Sequence, residues 1–290
     1  MSSQHSTLMT TVIELSREIK KVTLNKLQPN PNGFHINDKT QATILYRDTN
    51  GAPHNIRFTN LLKSGYNMDK FIKDGTLFRR PDHLFEPMLS LIEKGSVIYD
   101  LGAYIGTFSI PFAIEGMEVY AFEAWPENHA RLTEHVKPYG VETFCVALSD
   151  KNKIEKGQIT HCKGWANHDR DLYENIRYVR LDDFIQENNL PLPDFIKMDI
   201  EGMESIAMHG MTNLLENIRP VWAMGYHFKM PVEVEGIAWV DVEDGGFDFR
   251  KIEELDYAVF SAFGGERLNP NVLQKHGGEF LFVPKEKLTS

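Results

Sequence analysis

The chain has 290 residues, with 31 Lys and Arg against 41 Asp and Glu, a net charge of −10. This excess of acid argues against a protein that grips nucleic acid through a general basic surface. The 42% hydrophobic and 25% charged fractions are those of a globular chain, and 21 Gly with 14 Pro is too little for a fibrous or low-complexity one.

In chain order, residues 8–27 are expected to form an amphipathic helix, because Leu8, Val12, Leu15, Ile19 and Val22 recur at spacings of four and three. That helix packs on its own domain or forms the seam of a homodimer. Residues 42–59 predict a β-hairpin around Thr49-Asn50-Gly51, since Asn-Gly tolerates the positive φ that a tight turn requires. A helix is expected over Asp82–Glu93, ended by Gly95. From Ser96 the texture changes. Residues 97–114 read as a short apolar strand, a glycine turn and a helix, 118–136 as a strand then a helix, 141–150 as a third strand, 194–210 as a strand running into a helix and 219–228 as another strand, and two neighbouring strands at 257–268 and 278–286 close the chain as an antiparallel edge. Strand–helix alternation implies a mainly parallel sheet covered on both faces. Cys145 and Cys162 fit no zinc spacing and are expected to be free thiols. The N-terminus has no secretory or presequence pattern, and no apolar stretch is long enough to span a membrane, so a cytoplasmic protein is expected.

Chemistry concentrates at Asp100-Leu101-Gly102-Ala103-Tyr104-Ile105-Gly106, a glycine turn between a strand and a helix. Glycines there let the backbone approach a ligand. The dinucleotide fingerprint fails, because Asp100 stands two residues before Gly102 where the first glycine would be. An acid at that position repels a pyrophosphate and suits a cationic ligand. Glu123, 17 residues after Gly106, ends the second strand, where a carboxylate can accept hydrogen bonds from both ribose hydroxyls of a nucleoside. Ala124 and Trp125 follow where an adenine would lie. The competing reading makes Glu123 a cap for the next helix.

These segments resemble the FkbM-type family of S-adenosylmethionine-dependent methyltransferases of the class I fold. DLGAYIG is similar to the family's Asp-x-Gly-Ala-Asn-x-Gly, with Tyr104 in place of Asn. AFEAWP is similar to AFEPNP, Ala147-Leu148-Ser149-Asp150 matches its alanine-leucine-serine-aspartate stretch, and Lys197-Met198-Asp199-Ile200-Glu201-Gly202-Met203-Glu204 matches its fourth motif whole. The likeness covers about Glu86 to Pro284 and leaves the helix and hairpin of residues 1–81 as an appendage to a domain of 82–290. It implies an α/β, Rossmann-like sheet of order 3-2-1-4-5-7-6 with the last strand antiparallel. It also implies methyl transfer from S-adenosylmethionine to a hydroxyl oxygen of a glycan or small metabolite, leaving S-adenosylhomocysteine. By that resemblance Asp100, Gly102, Ala103, Tyr104 and Gly106 face the methionine end of the cofactor, with Asp199 near its ammonium. Glu123 holds the ribose, and Ala147, Leu148 and Ser149 border the adenine. The family's Glu-x-His at the fifth strand reads Gly225-Tyr226-His227 here, so the glutamate is lost.

His227 is the natural general base, with Asp199 and Glu201 to orient it or share its work. Trp165, Asn167 and His168, between the third and fourth strands, and Tyr226 are candidate acceptor contacts. Metal binding by Asp199 and Glu201 ranks below acid–base work, so no metal is expected. Transfer to nitrogen or a phenolic oxygen, and a non-catalytic subunit that binds cofactor and partner, stay open as rival readings.

Overall fold

The structure is a computed structural model that describes residues 35–38, 41–59, 88–89, 91–158, 172–200, 202–226, 250–262, 267–269 and 278–288. The proposed helix at 8–27 lies outside the described residues. So do the segment bearing Trp165, Asn167 and His168, and both Glu201 and His227.

Strands β1 (His35–Asp38), β2 (Gln41–Arg47) and β3 (Pro53–Phe58) form a small antiparallel sheet in that order. The β2–β3 hairpin turns at Asn50-Gly51, and Ile44 faces Ile56 across it. Asp48 stiffens the turn by accepting from the backbone N–H groups of Asn50 and Ala52, each at 2.9 Å. Of the helix expected at 82–93, residues 82–87 and 90 lie outside the described residues. Met88 and Leu89 are helical, but the chain is in turns from Leu91, ahead of Gly95.

The main sheet uses β4 (Val97–Leu101), β5 (Glu118–Phe122), β6 (Glu142–Phe144), β10 (Phe195–Met198), β11 (Val221–Tyr226), β12 (Tyr257–Ser261), β13 (Arg267–Leu268) and β14 (Gly278–Pro284). Its order is β6-β5-β4-β10-β11-β14-β12-β13. β14 pairs antiparallel with both β11 and β12, and β13 pairs antiparallel with β12 at the margin. The order is the expected 3-2-1-4-5-7-6 with β13 added at the margin. The closing pair is therefore no simple edge hairpin, because its second strand inserts between the first and the parallel body.

One further correction concerns residues 141–150. They do not make a single third strand. The strand leaves the main sheet after Phe144, and β7 (Ala147–Leu148) joins a second small sheet with β9 (Leu172–Val179) and β8 (Lys153–Gln158), ordered β7-β9-β8.

Side-chain alternation divides the core into two faces. On one, Ile98, Val119, Ala121, Phe195, Val221 and Ala223 pack under α1 (Ser109–Ile114) and α2 (Pro126–Val136). Tyr46, Ile56 and Phe58 of the hairpin belong to this same cluster. On the other, Tyr99, Leu101, Phe122, Met198, Trp222 and Met224 pack under α3 (Leu181–Asn188), α4 (Glu204–His209) and the short π-helix Leu214–Ile218. A last helix, α5 (Arg250–Glu254), precedes β12. Strands apolar on both faces are what a covered parallel sheet requires.

Candidate active site

The carboxyl ends of β4, β5, β10 and β11 lie side by side and carry the chemistry. Parallel register sets Asp100 opposite Lys197 and Leu101 opposite Phe122 and Met198. Neighbours in register point to the same face, so Asp100 and Lys197 meet beneath the glycine turn. Lys197 Nζ lies 3.2 Å from Asp100 Oδ1, and the Ser109 hydroxyl donates to Asp100 Oδ2 at 2.6 Å. Asp100 is fully buried and Lys197 nearly so.

The turn itself follows from close approach. Gly102 and Ala103 both donate to the Phe122 carbonyl at 2.9 Å, and Asp199 N donates to Leu101 O at 3.0 Å. Gly102 has φ +80°, and a Cβ there would stand 2.0 Å from the Asp199 carbonyl oxygen. Only glycine fits both the dihedral and the space. Gly106, at φ +96°, closes the turn against Val136 and Leu132 of α2. Tyr104 sits between them at φ +54°, a left-handed conformation that is costly for a residue with a Cβ. Its ring packs against the hairpin-side core.

Glu123 ends β5 just past Phe122. Its Oε2 accepts from Tyr104 N and its Oε1 from Trp125 N, each at 2.9 Å. The helix cap expected as the competing reading is not formed, since no side chain caps α2. The carboxylate meets the residue preceding α2, and it also ties that helix to the glycine turn. Burial pushes its carboxyl up to about 7, against the opposing pull of the two backbone donors and of Lys197. Burial alone would push the Lys197 ammonium down, but Asp100, Asp199 and Glu123 together hold it above its ordinary value.

Asp199 follows β10 and lies between two strand ends. Its backbone abuts Gly102, and its side chain lies against Gly225 of β11, where a Cβ would come within 3.3 Å of Asp199 Cγ. Glu204, fully buried in the first turn of α4, accepts from the N–H groups of Ile200 and Gly202 at 3.0–3.2 Å and so shapes the loop after Asp199.

Trp125 is buried under the Arg131 guanidinium, 5.7 Å from its ring centre, and Ala124 is half-buried. Ala147 is half-buried, while Leu148 enters the second core cluster and Ser149 is buried with its N–H on Val179 O. Tyr226 packs in that second cluster. Two neighbours went unassigned in the sequence. Lys197 stood within a quoted motif, but a lone lysine in an apolar strand discloses its partner only through register. Cys145 lies near Glu123, and its thiol is pushed up by partial burial and then by Glu123 and Glu127.

The crevice thus gathers three carboxylates, Asp100, Glu123 and Asp199, around one ammonium. Such an excess of acid beside a glycine turn suits a cationic nucleoside, and S-adenosylmethionine carries both a sulfonium and an ammonium. Among the described residues no three His, Cys, Asp or Glu side chains converge as a metal site.

Residues 100–259, more than half of the chain, match the Methyltransferase FkbM domain. The hexuronic acid methyltransferase AglP of Haloferax volcanii is 28% identical over 136 residues, 45% of this chain and 56% of its own length, so the chain spans little more than half of that relative. A methyltransferase FkbM from Methylobacillus flagellatus is 15% identical, with a TM-score of 0.41 over 74% of this chain and 60% of that one. A TehB-like S-adenosylmethionine-dependent methyltransferase from Corynebacterium glutamicum is 12% identical, with a TM-score of 0.39 over 75% of this chain and all of that one. The match over the whole glycine turn, the Glu123 strand and the Lys197–Glu204 motif makes this chain a member of the FkbM methyltransferase family, with S-adenosylmethionine as its methyl donor.

Proposed function

We propose that the enzyme transfers a methyl group to a hydroxyl oxygen of a sugar or glycan, or of a small hydroxylated metabolite. The observation that carries this reading is the set of carboxylates at adjacent strand ends, with Asp199 between the glycine turn and the strand that leads to His227. The likeness to a hexuronic acid methyltransferase supports a sugar acceptor.

In this reading Glu123 accepts from the ribose hydroxyls. Asp100 supports the turn Gly102–Gly106 against the methionine end, and Ala124 with Ala147 borders the adenine. The cofactor supplies an activated methyl group on a sulfonium. The chain's task is to align the acceptor oxygen with that group, which contributes as much as ~7–11 kcal/mol in well-oriented systems. A sugar hydroxyl is weakly acidic, so removal of its proton by His227, oriented by Asp199 with Glu201, adds roughly 10²–10⁴-fold. Trp165, Asn167 and His168 are assigned to the acceptor side. A cytoplasmic location and a homodimer seam through residues 8–27 accompany this reading, and both are supported by sequence pattern alone.

The test is methyl transfer from radiolabelled S-adenosylmethionine to uronic-acid and neutral oligosaccharides, with the product then treated with alkali. A stable methyl ether supports the proposal. An alkali-labile ester would place the methyl group on a carboxylate, which needs no base, and would overturn the hydroxyl assignment.

A further inference from the structure

We propose that Lys197 is a positioning residue of the cofactor site, a buried cation that holds the whole glycine turn and sets the charge under which Glu123 meets the ribose. The inference rests on the reading of Glu123 as the ribose acceptor.

One ammonium reaches three parts of the turn. Lys197 Nζ pairs with Asp100 Oδ1 at 3.2 Å where the turn begins, and donates to the Gly102 carbonyl at 3.0 Å in its middle. It also lies over the Phe108 ring, 5.1 Å from the centre, where the turn ends. Parallel register fixes this placement, because Lys197 stands opposite Asp100 on the neighbouring strand. Nothing in packing alone requires a lysine here, where Phe195 on the same face is apolar and an aliphatic residue would cost less to bury. The charged groups that act on Glu123 are Lys197, which favours its ionised form, and Asp100, which opposes it; the Cys145 thiol also lies near. Lys197 in turn feels Asp100, Asp199 and Glu123 together. Its charge is therefore shared between holding the turn and keeping Glu123 ready to accept hydrogen bonds.

The test is calorimetric binding of S-adenosylhomocysteine to the full chain across pH 5.5–8.5, for the wild type, Lys197→Met, Asp100→Asn/Lys197→Met and Glu123→Gln. The wild type should bind more weakly as pH falls through about 7, where Glu123 takes up its proton. Lys197→Met should bind roughly tenfold more weakly or worse, with the pH midpoint moved upward. Where Lys197→Met fails to fold because Asp100 is left buried and unpaired, the double variant carries the test. It should fold, bind weakly and keep a raised midpoint, because Lys197 acts on Glu123 more strongly than Asp100 does. Wild-type affinity and midpoint in either folded lysine variant would overturn the proposal and make Lys197 a mere counter-ion. Glu123→Gln should bind weakly and without the pH dependence. Wild-type binding by that variant would instead overturn the ribose reading, and the present inference with it.

Discussion

The glycine turn is held from two sides by unlike chemistry. From within the sheet, Lys197, Asp100 and Glu123 grip it with buried charge. From the N-terminal hairpin side the grip is neutral. His135 on α2 takes the Ile105 carbonyl through Nδ1 at 3.0 Å and receives Thr59 N–H at Nε2 at 2.9 Å, edge-on to the Phe58 ring. Burial pushes the His135 imidazole down, so the uncharged ring is the form that fits. The hairpin docks a second time where Thr49 N and Oγ1 and the Tyr46 hydroxyl all donate to the Glu115 carboxylate. The inner grip rests on a buried ammonium among carboxylates, whereas the outer hold on the turn rests on an uncharged imidazole. The pair therefore titrates in opposite senses, and that difference is open to measurement.

The largest expected effect is on the turn that both sides share. Gly102→Ala should cost on the order of 4 kcal/mol or more in chemical denaturation, because a Cβ there lies 2.0 Å from the Asp199 carbonyl at φ +80°. Stability close to wild type would show that the turn can shift, and would weaken the argument that close approach dictates the glycine.

Next comes Glu123. Loss of two charge-assisted hydrogen bonds, each worth about 1.5–3 kcal/mol, should make Glu123→Ala bind S-adenosylhomocysteine at least tenfold more weakly. Stability of the free enzyme should also respond to this group. Its folded pKa of about 7 lies above the ordinary carboxylate value of 4.5, so its contribution is present at low pH and fades as pH rises between those values. Urea midpoints collected across that window should lose this slope in Glu123→Ala.

His135 should behave in the reverse sense. Its folded pKa lies below the ordinary imidazole value of 6.5, so its contribution is intact above that value and is lost as pH falls below it. Replacement by alanine leaves Thr59 N–H and Ile105 C=O without this partner and should cost about 1–3 kcal/mol. Cofactor affinity at pH 8 should change by no more than a few-fold, and a large loss would mean that the outer grip tunes the site as well.

The smallest effect is expected at Tyr104. Asparagine tolerates the left-handed conformation better, which regains part of ~1–2 kcal/mol. The lost ring contact with the core offsets that gain. The net change in Tyr104→Asn should stay within about 1 kcal/mol by thermal melting, and a larger loss would show that the ring is an anchor of the hairpin side.

Much of this site could be read before any fold was known, and each legible part had a local cause. The hairpin was marked by Asn50-Gly51, the turn by Gly102 and Gly106 between an apolar strand and a helical pattern, and Glu123 by its place at the end of a strand. The illegible parts depend on distant partners. The break after Phe144 and the pairing of β7 with β9 join residues some thirty positions apart, and residues 153–158 carry no period that marks them as a strand. His135 read as one more polar residue on a helix face, yet it touches Thr59, 76 positions earlier.

The sequence by itself determined the strand–helix alternation, the glycine turn, the acids at its borders and the family likeness, because these follow from local dihedral preference and short-range pattern. Only the tertiary structure decided which charges meet. Lys197 and Asp100 lie 97 residues apart, and they become partners because two parallel strands align in one register and turn both side chains to the same buried face. No local preference encodes a register, which is set by the packing of the whole sheet.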